Sequence, residues 1–151
     1  MDASREIKTI LWPNDLSKCS EEALPYVRSL ARKYGALVHV LYVAEDLTAH
    51  DSWYGDFDPS HAEKIMQWEH KKALERQQEL CQKYLADCAE YQKHITVGNP
   101  VREILKFIDT NKIDMVVLCK KGKTGSFDMG SVAQKVVASS PVPVVVTSDN
   151  P

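Results

Sequence analysis

The sequence lacks any apolar run near the roughly 20 residues needed to cross a bilayer. Its longest candidates, such as residues 142–147 (VPVVVT), are far shorter. The opening residues MDASREIK carry no apolar signal segment, so the expectation is a cytoplasmic protein with no membrane insertion. An excess of positive charge is missing too: 19 Lys and Arg stand against 21 Asp and Glu, a net charge of -2. A general nucleic-acid binder needs surplus cations to neutralise phosphates and is excluded, although a local basic patch is allowed. Only 6 glycines and 7 prolines occur, which rules out a repetitive or disordered composition. The four cysteines Cys19, Cys81, Cys88 and Cys119 form no C-x-x-C pair. They are expected as small buried apolar residues, as suits a reducing cytosol.

What is present suffices for one core. The chain has 151 residues, 44% of them hydrophobic, enough for a single domain over 1–151 without staples. Residues 7–12 (IKTILW) read as a strand stopped by Pro13-Asn14-Asp15. From Ser20, Ala23, Leu24, Val27, Leu30, Ala31 and Tyr34 recur at helical spacing up to Gly35, with Pro25 awkward near the start. Residues 37–43 (LVHVLYV) form a strand covered on both faces. After an acidic, aromatic connection, Ser60 can cap a long helix to about Ala89, with Leu74, Cys81, Leu85 and Cys88 on one face. His94 to Val97 is a third strand, and Gly98-Asn99-Pro100 caps a helix striped by Val101, Ile104, Leu105 and Ile108. A strand at 113–119, a helix at 131–140 with Val132, Ala133, Val136 and Val137 inward, and a strand at 142–147 complete the order.

Strands alternating with helices predict an α/β fold: one three-layer, Rossmann-like domain whose five-stranded parallel sheet carries helices on both faces. Ligands of such sheets bind outside the carboxyl ends of the strands, where the strand order reverses. That rule selects the loops at Pro13-Asn14-Asp15, at Val43-Ala44-Glu45-Asp46 and at CKKGKTGSFDMGS, residues 119–131. The last offers Gly122, Gly125 and Gly130 for close backbone approach, Lys120, Lys121 and Lys123 for charge, and Ser131 with the amides of Val132 and Ala133 at a helix start. A solvated βα loop of the same composition is the plain alternative. Gly122-Lys123-Thr124 is not a P-loop, because the glycine required five residues earlier is Val117, inside a strand.

The motifs resemble the universal stress protein family. Ile10-Leu11-Trp12-Pro13-Asn14-Asp15-Leu16-Ser17 is similar to that family's I-L-V-P-V-D-G-S opening. The stretches 97–104 (VGNPVREI), 113–118 (IDMVVL), 130–133 (GSVA) and 141–146 (PVPVVV) follow in the family's order. The resemblance implies an adenine nucleotide, ATP or another, with Mg2+ as its companion ion. It implies a homodimer through the last strand (Val142, Val144, Val145, Val146) and a regulatory rather than catalytic role. Asp15 and the backbone of Val43 would hold adenosine; Gly122 and Gly130-Ser131 would close the phosphate motif. This sequence departs from the pattern at Cys119, which replaces the motif's first glycine, and in a segment of seven residues instead of nine between Gly122 and Gly130. Trp12 stands where a smaller residue is expected at the lip of the adenosine pocket.

Three other functions are weighed. A nucleotide-free dimeric interaction module is motivated by Cys119 and by Trp53, Tyr54 and Phe57, which either present a partner surface or cover the sheet's end. An enzyme is disfavoured: there is no S-G-G-x-D-S signature, no G-x-S-x-G elbow and no glycine between Pro13 and Ser20, so no catalytic residue is assigned. His50, Asp51, Asp56, Asp58 and His61 have the right chemistry for a metal but irregular spacing, and no metal site is expected.

Overall fold

The computed structural model describes residues 3–44, 59–120 and 130–148. Strands β1 (Thr9–Asn14), β2 (Leu37–Ala44), β3 (Tyr91–Val97), β4 (Met115–Cys119) and β5 (Val144–Thr147) form one sheet in the order β3-β2-β1-β4-β5. Every pairing is parallel. The helices are α1 (Lys18–Glu22), α2 (Leu24–Tyr34), α3 (Pro59–Tyr84), α4 (Pro100–Thr110) and α5 (Ser131–Ser139). The α/β fold with helices on both faces is therefore as expected from the alternation of apolar patterns.

Because side chains alternate along a strand, β1 feeds two cores. Ile10 and Trp12 join Val38, Val40 and Val117 beneath Leu24, Val27 and Ala31 of α2 and Leu80 and Cys81 of α3. Leu11, on the opposite face, joins Leu41, Val116 and Leu118 beneath Ile104 and Ile108 of α4 and Ala133 and Val136 of α5. At the amino end of the sheet, Asp114 Oδ2 accepts from the backbone N–H groups of Lys8 and Thr9 at 2.9 and 3.0 Å, tying the starts of β1 and β4 together. His39 and His94 meet on the α4 face, with Nδ1 of the first 3.1 Å from Nε2 of the second and Phe107 edge-on to both rings.

Several element boundaries differ from the sequence reading, each for a local reason. The helix expected from Ser20 is two helices broken at Ala23, and Pro25 falls in the first turn of α2, where its missing N–H costs nothing. Gly35 ends α2 at φ 60 and ψ 38, the left-handed conformation that glycine adopts freely. The inward line of α3 is Ala73, Gln77, Leu80 and Cys81, followed by Leu85 just past its end, whereas Leu74 is 49% exposed. One residue turns the helix by about 100°, so the small Ala73 holds the inner face and the larger neighbour is carried off it. On α5 the same geometry keeps Ala133 and Val136 inside and leaves Val132 and Val137 exposed. The last strand begins at Val144, because Pro141 and Pro143 supply no N–H for the ladder.

Candidate functional site

The carboxyl ends of the strands lie on one level. Asn14 pairs with Tyr42 of β2, Tyr42 with Ile95 of β3, and Cys119 with Thr147 of β5. Ile10 pairs with Met115 and Leu11 with Val116; continuing that register four residues sets Asn14 beside Cys119. The chain runs from β1 outward to β2 and β3 on one side and to β4 and β5 on the other, so the order reverses between β1 and β4. A crevice opens there by topology, since the connections leave the two strands toward opposite faces.

Its first lip follows β1. Pro13 is buried and belongs to the strand. Asn14 donates from Nδ2 to the Leu41 carbonyl at 3.1 Å, while its buried Oδ1 has no partner among the described residues. Asp15 Oδ1 accepts from the Ser17 N–H at 2.9 Å, and Ser17 Oγ accepts from the Ser20 N–H at 3.2 Å to cap α1. The turn leaves Leu16 at φ 62, a conformation uncommon for a residue with a Cβ. The first of these bonds ties the Asp15 carboxylate to its own turn. Val43, half-buried at the end of β2, packs toward the α4 side, and the Ala44 carbonyl accepts from the Gly98 N–H at 2.9 Å.

The opposite lip follows β4. The Lys120 N–H donates to the Thr147 carbonyl at 2.6 Å and the Lys120 carbonyl accepts from the Gly130 N–H at 2.8 Å, closing the base of the connection. Gly130 is the N-cap of α5 at φ -60 and ψ 154, with no side-chain cap. It needs no positive φ, and without a side chain it offers no cap to the amides of Ser131, Val132 and Ala133. Those amides have no intrahelical acceptor, as in the first turn of any α-helix, and favour an anion. Ser131 is exposed beside them.

Pro13, Asn14, Asp15, Val43, Cys119, Gly130, Ser131 and Val132 are thus gathered at one end of the sheet. Lys121, Gly122, Lys123 and Gly125 lie outside the described residues, as do His50, Asp51, Trp53, Tyr54, Asp56, Phe57 and Asp58 and the side chain of His61.

Two expectations are corrected. Trp12 is not at the lip of a pocket: it is completely buried in the core under α2 and α3, because its parity along β1 matches Ile10 and not the crevice. Cys119 is not simply a small apolar residue. It is disulfide-paired with Cys19, one hundred residues earlier, with the two Cα atoms 5.8 Å apart. Sequence reasoning missed Cys19. The available signal was topological: one cysteine follows β1 and the other ends β4, the two strands that flank the reversal.

Among the described residues no helix is long and apolar enough to cross a membrane. A family model described as the universal stress protein family matches residues 6–148. A universal stress protein from Methanocaldococcus jannaschii is 27% identical over 146 residues, covering 92% of this chain and 81% of the relative. The solved universal stress protein UspA from Lactobacillus plantarum superposes with a TM-score of 0.81 at 21% identity, covering 95% of this chain and 99% of that one. A universal stress protein from Archaeoglobus fulgidus, solved in complex with dAMP, has a TM-score of 0.63 at 22% identity, with 93% and 96% of the chains covered.

Proposed function

The chain belongs to the universal stress protein family, and on that premise we propose that it is a non-catalytic, cytoplasmic stress-response regulator that holds an adenine nucleotide in the crevice between β1 and β4. What supports this reading is that Asp15, tied to its own turn by the Ser17 N–H, and Gly130-Ser131, the uncapped start of α5, each follow one of the two strands between which the order reverses. Asp15 keeps Oδ2 to accept from a ribose hydroxyl or the adenine amino group. The backbone of Val43 meets the base. Phosphate oxygens take the amides of Ser131 to Ala133, with Lys121, Gly122, Lys123 and Gly125 completing the cradle and Mg2+ accompanying a polyphosphate.

Titration calorimetry with ATP, ADP and AMP tests this. The Asp15→Asn variant keeps an oxygen for the Ser17 N–H but loses the charge, and should weaken binding about tenfold or more, the worth of a hydrogen bond to a charged acceptor. No heat from any of the three nucleotides with folded protein rejects the reading.

The quaternary proposal is a homodimer through β5. This strand is the sheet's edge, and Val144, Val145 and Val146 are half-buried against their own cores, as is Val142 just before it. An edge of this composition, with no further strand among the described residues, invites a second strand. Sedimentation should give a dimer for the native chain and a monomer for Val145→Lys with an unchanged circular dichroism spectrum. A Val145→Lys protein that remains dimeric counts against this interface.

A further inference from the structure

We propose that Cys19 and Cys119 form a reversible thiol–disulfide switch set across the crevice, whose disulfide form holds the β1 and β4 lips together and whose dithiol form frees them to admit the phosphates of a ligand. The coupling to a ligand rests on the nucleotide reading; the switch itself rests on the position of the two sulfurs.

Their Cα separation of 5.8 Å lies in the middle of the range that a disulfide spans, so the bond forms from the folded chain without pulling the two lips out of place. Its location is not arbitrary. Cys19 lies in the five-residue α1 directly after the Asp15 turn, and Cys119 is the last residue of β4. From Cys119 the chain continues to Lys120, whose carbonyl holds the N–H of Gly130, the cap of α5. One covalent bond therefore links the carboxylate lip to the helix N-terminus on the other side.

The remaining cysteines are poor alternatives. Cys81 is enclosed under α3, and burial pushes its thiol up to about 11, which leaves it protonated and unreactive. Cys88 donates its thiol to the Tyr84 carbonyl at 3.6 Å. Within the crevice pair, Cys119 is half-buried and Cys19 is buried. That difference orders the chemistry. The Cys119 thiolate attacks a low-molecular-weight disulfide, one thiol leaves, and a mixed disulfide forms on Cys119. The Cys19 thiolate then attacks the Cys119 sulfur and expels the second thiol. The sum is two protein thiols plus one small disulfide giving one protein disulfide plus two small thiols. Both electrons pass to the small disulfide, and the two protons end on its thiols. In a reducing compartment a disulfide is more often transient and redox-sensing than a permanent staple, which agrees with an acceptor of this class.

The test equilibrates the full-length protein with glutathione couples of graded ratio, alkylates free thiols and reads intact mass. The expected result is one reversible two-electron transition, absent from Cys19→Ser and from Cys119→Ser. Hydrogen exchange of amides 17–22 and 130–134 should be faster in the dithiol form, and AMP should bind that form about tenfold more tightly, a coupling of ordinary allosteric size. Either serine variant should bind AMP like the dithiol form at every ratio. No disulfide under oxidising ratios, a disulfide that persists under reducing ones, or equal exchange at the lips in both forms overturns the switch. Equal AMP affinity in both forms overturns its coupling to the ligand. If AMP binds neither form while the exchange difference persists, the switch stands and the nucleotide reading falls.

Discussion

Trp12→Ala is expected to lower the unfolding free energy by about 3–5 kcal/mol, the range for emptying an aromatic site in a packed core. Trp12 has no exposed surface and sits with Ile10, Val40, Val117, Leu24 and Leu80 between β1 and the helices above it. The indole Nε1–H has no acceptor among the described residues. A buried donor without a partner costs about 1–3 kcal/mol, so part of what the ring gains by burial is already offset. Trp12→Phe removes that donor and keeps most of the apolar contact. It should therefore cost clearly less than Trp12→Ala, because the cavity left by the missing part of the indole is a fraction of the one left by the whole ring. Urea unfolding followed by far-ultraviolet circular dichroism separates the two variants, with m unchanged if only the folded state is affected. A loss below about 1 kcal/mol for Trp12→Ala would return Trp12 to the crevice, because a residue at a solvated lip removes little burial when truncated.

The placement of Trp12 illustrates how far the sequence could be read. The order of strands and helices was legible because each strand is a short β-branched run and most helices carry an apolar stripe with chemical punctuation. Asn99 caps α4 through Oδ1 to the Arg102 N–H, and Gly35 closes α2, both as their residue types predict. Less legible was which of two adjacent residues faces inward. Leu74 falls near the face of Cys81, Leu85 and Cys88 by heptad spacing, yet the inner face of α3 runs through Ala73, Gln77, Leu80 and Cys81. The parity of Trp12 is a similar case. The family resemblance put Trp12 at the lip of the pocket, but strand alternation assigns it to the face of Ile10. The place of Asp15 and Gly130-Ser131 at the carboxyl end of the sheet was readable because both directly follow or precede the elements that the apolar pattern marks out. The Cys19–Cys119 pair was not, since a hundred residues separate the two and only the spatial order of the strands brings them together. Composition alone made all four cysteines look equivalent; the structure divides them into a bridged pair, an enclosed thiol and one bonded to the last carbonyl of α3.

Acidification from pH 7.5 to 5.0 should destabilise the fold through the histidine pair between β2 and β3. Burial lowers the pKa of His39, with a further lowering from the neighbouring His94, and burial likewise lowers that of His94. In the unfolded chain both return to about 6.5. As pH falls through that value the unfolded chain takes up protons that the folded protein declines. Unfolding is then favoured, and the stability present above pH 6.5 is lost progressively toward the lowered folded values. Each histidine that stays neutral in the fold adds a slope approaching about 1.4 kcal/mol per pH unit. Geometry explains the resistance to protonation. At 3.1 Å, Nδ1 of His39 and Nε2 of His94 share one hydrogen bond while neutral, but present two donors to each other once both rings are charged, with Phe107 offering no counter-charge. Urea midpoints measured at half-unit intervals should therefore fall below pH 6.5 for the native chain. The fall should be markedly shallower for a His39→Leu, His94→Leu double variant, which has neither ring to protonate. Midpoints that stay level down to pH 5.0 in the native chain, or fall equally in both proteins, would remove the pair as the cause and shift attention to carboxylates titrating at lower pH.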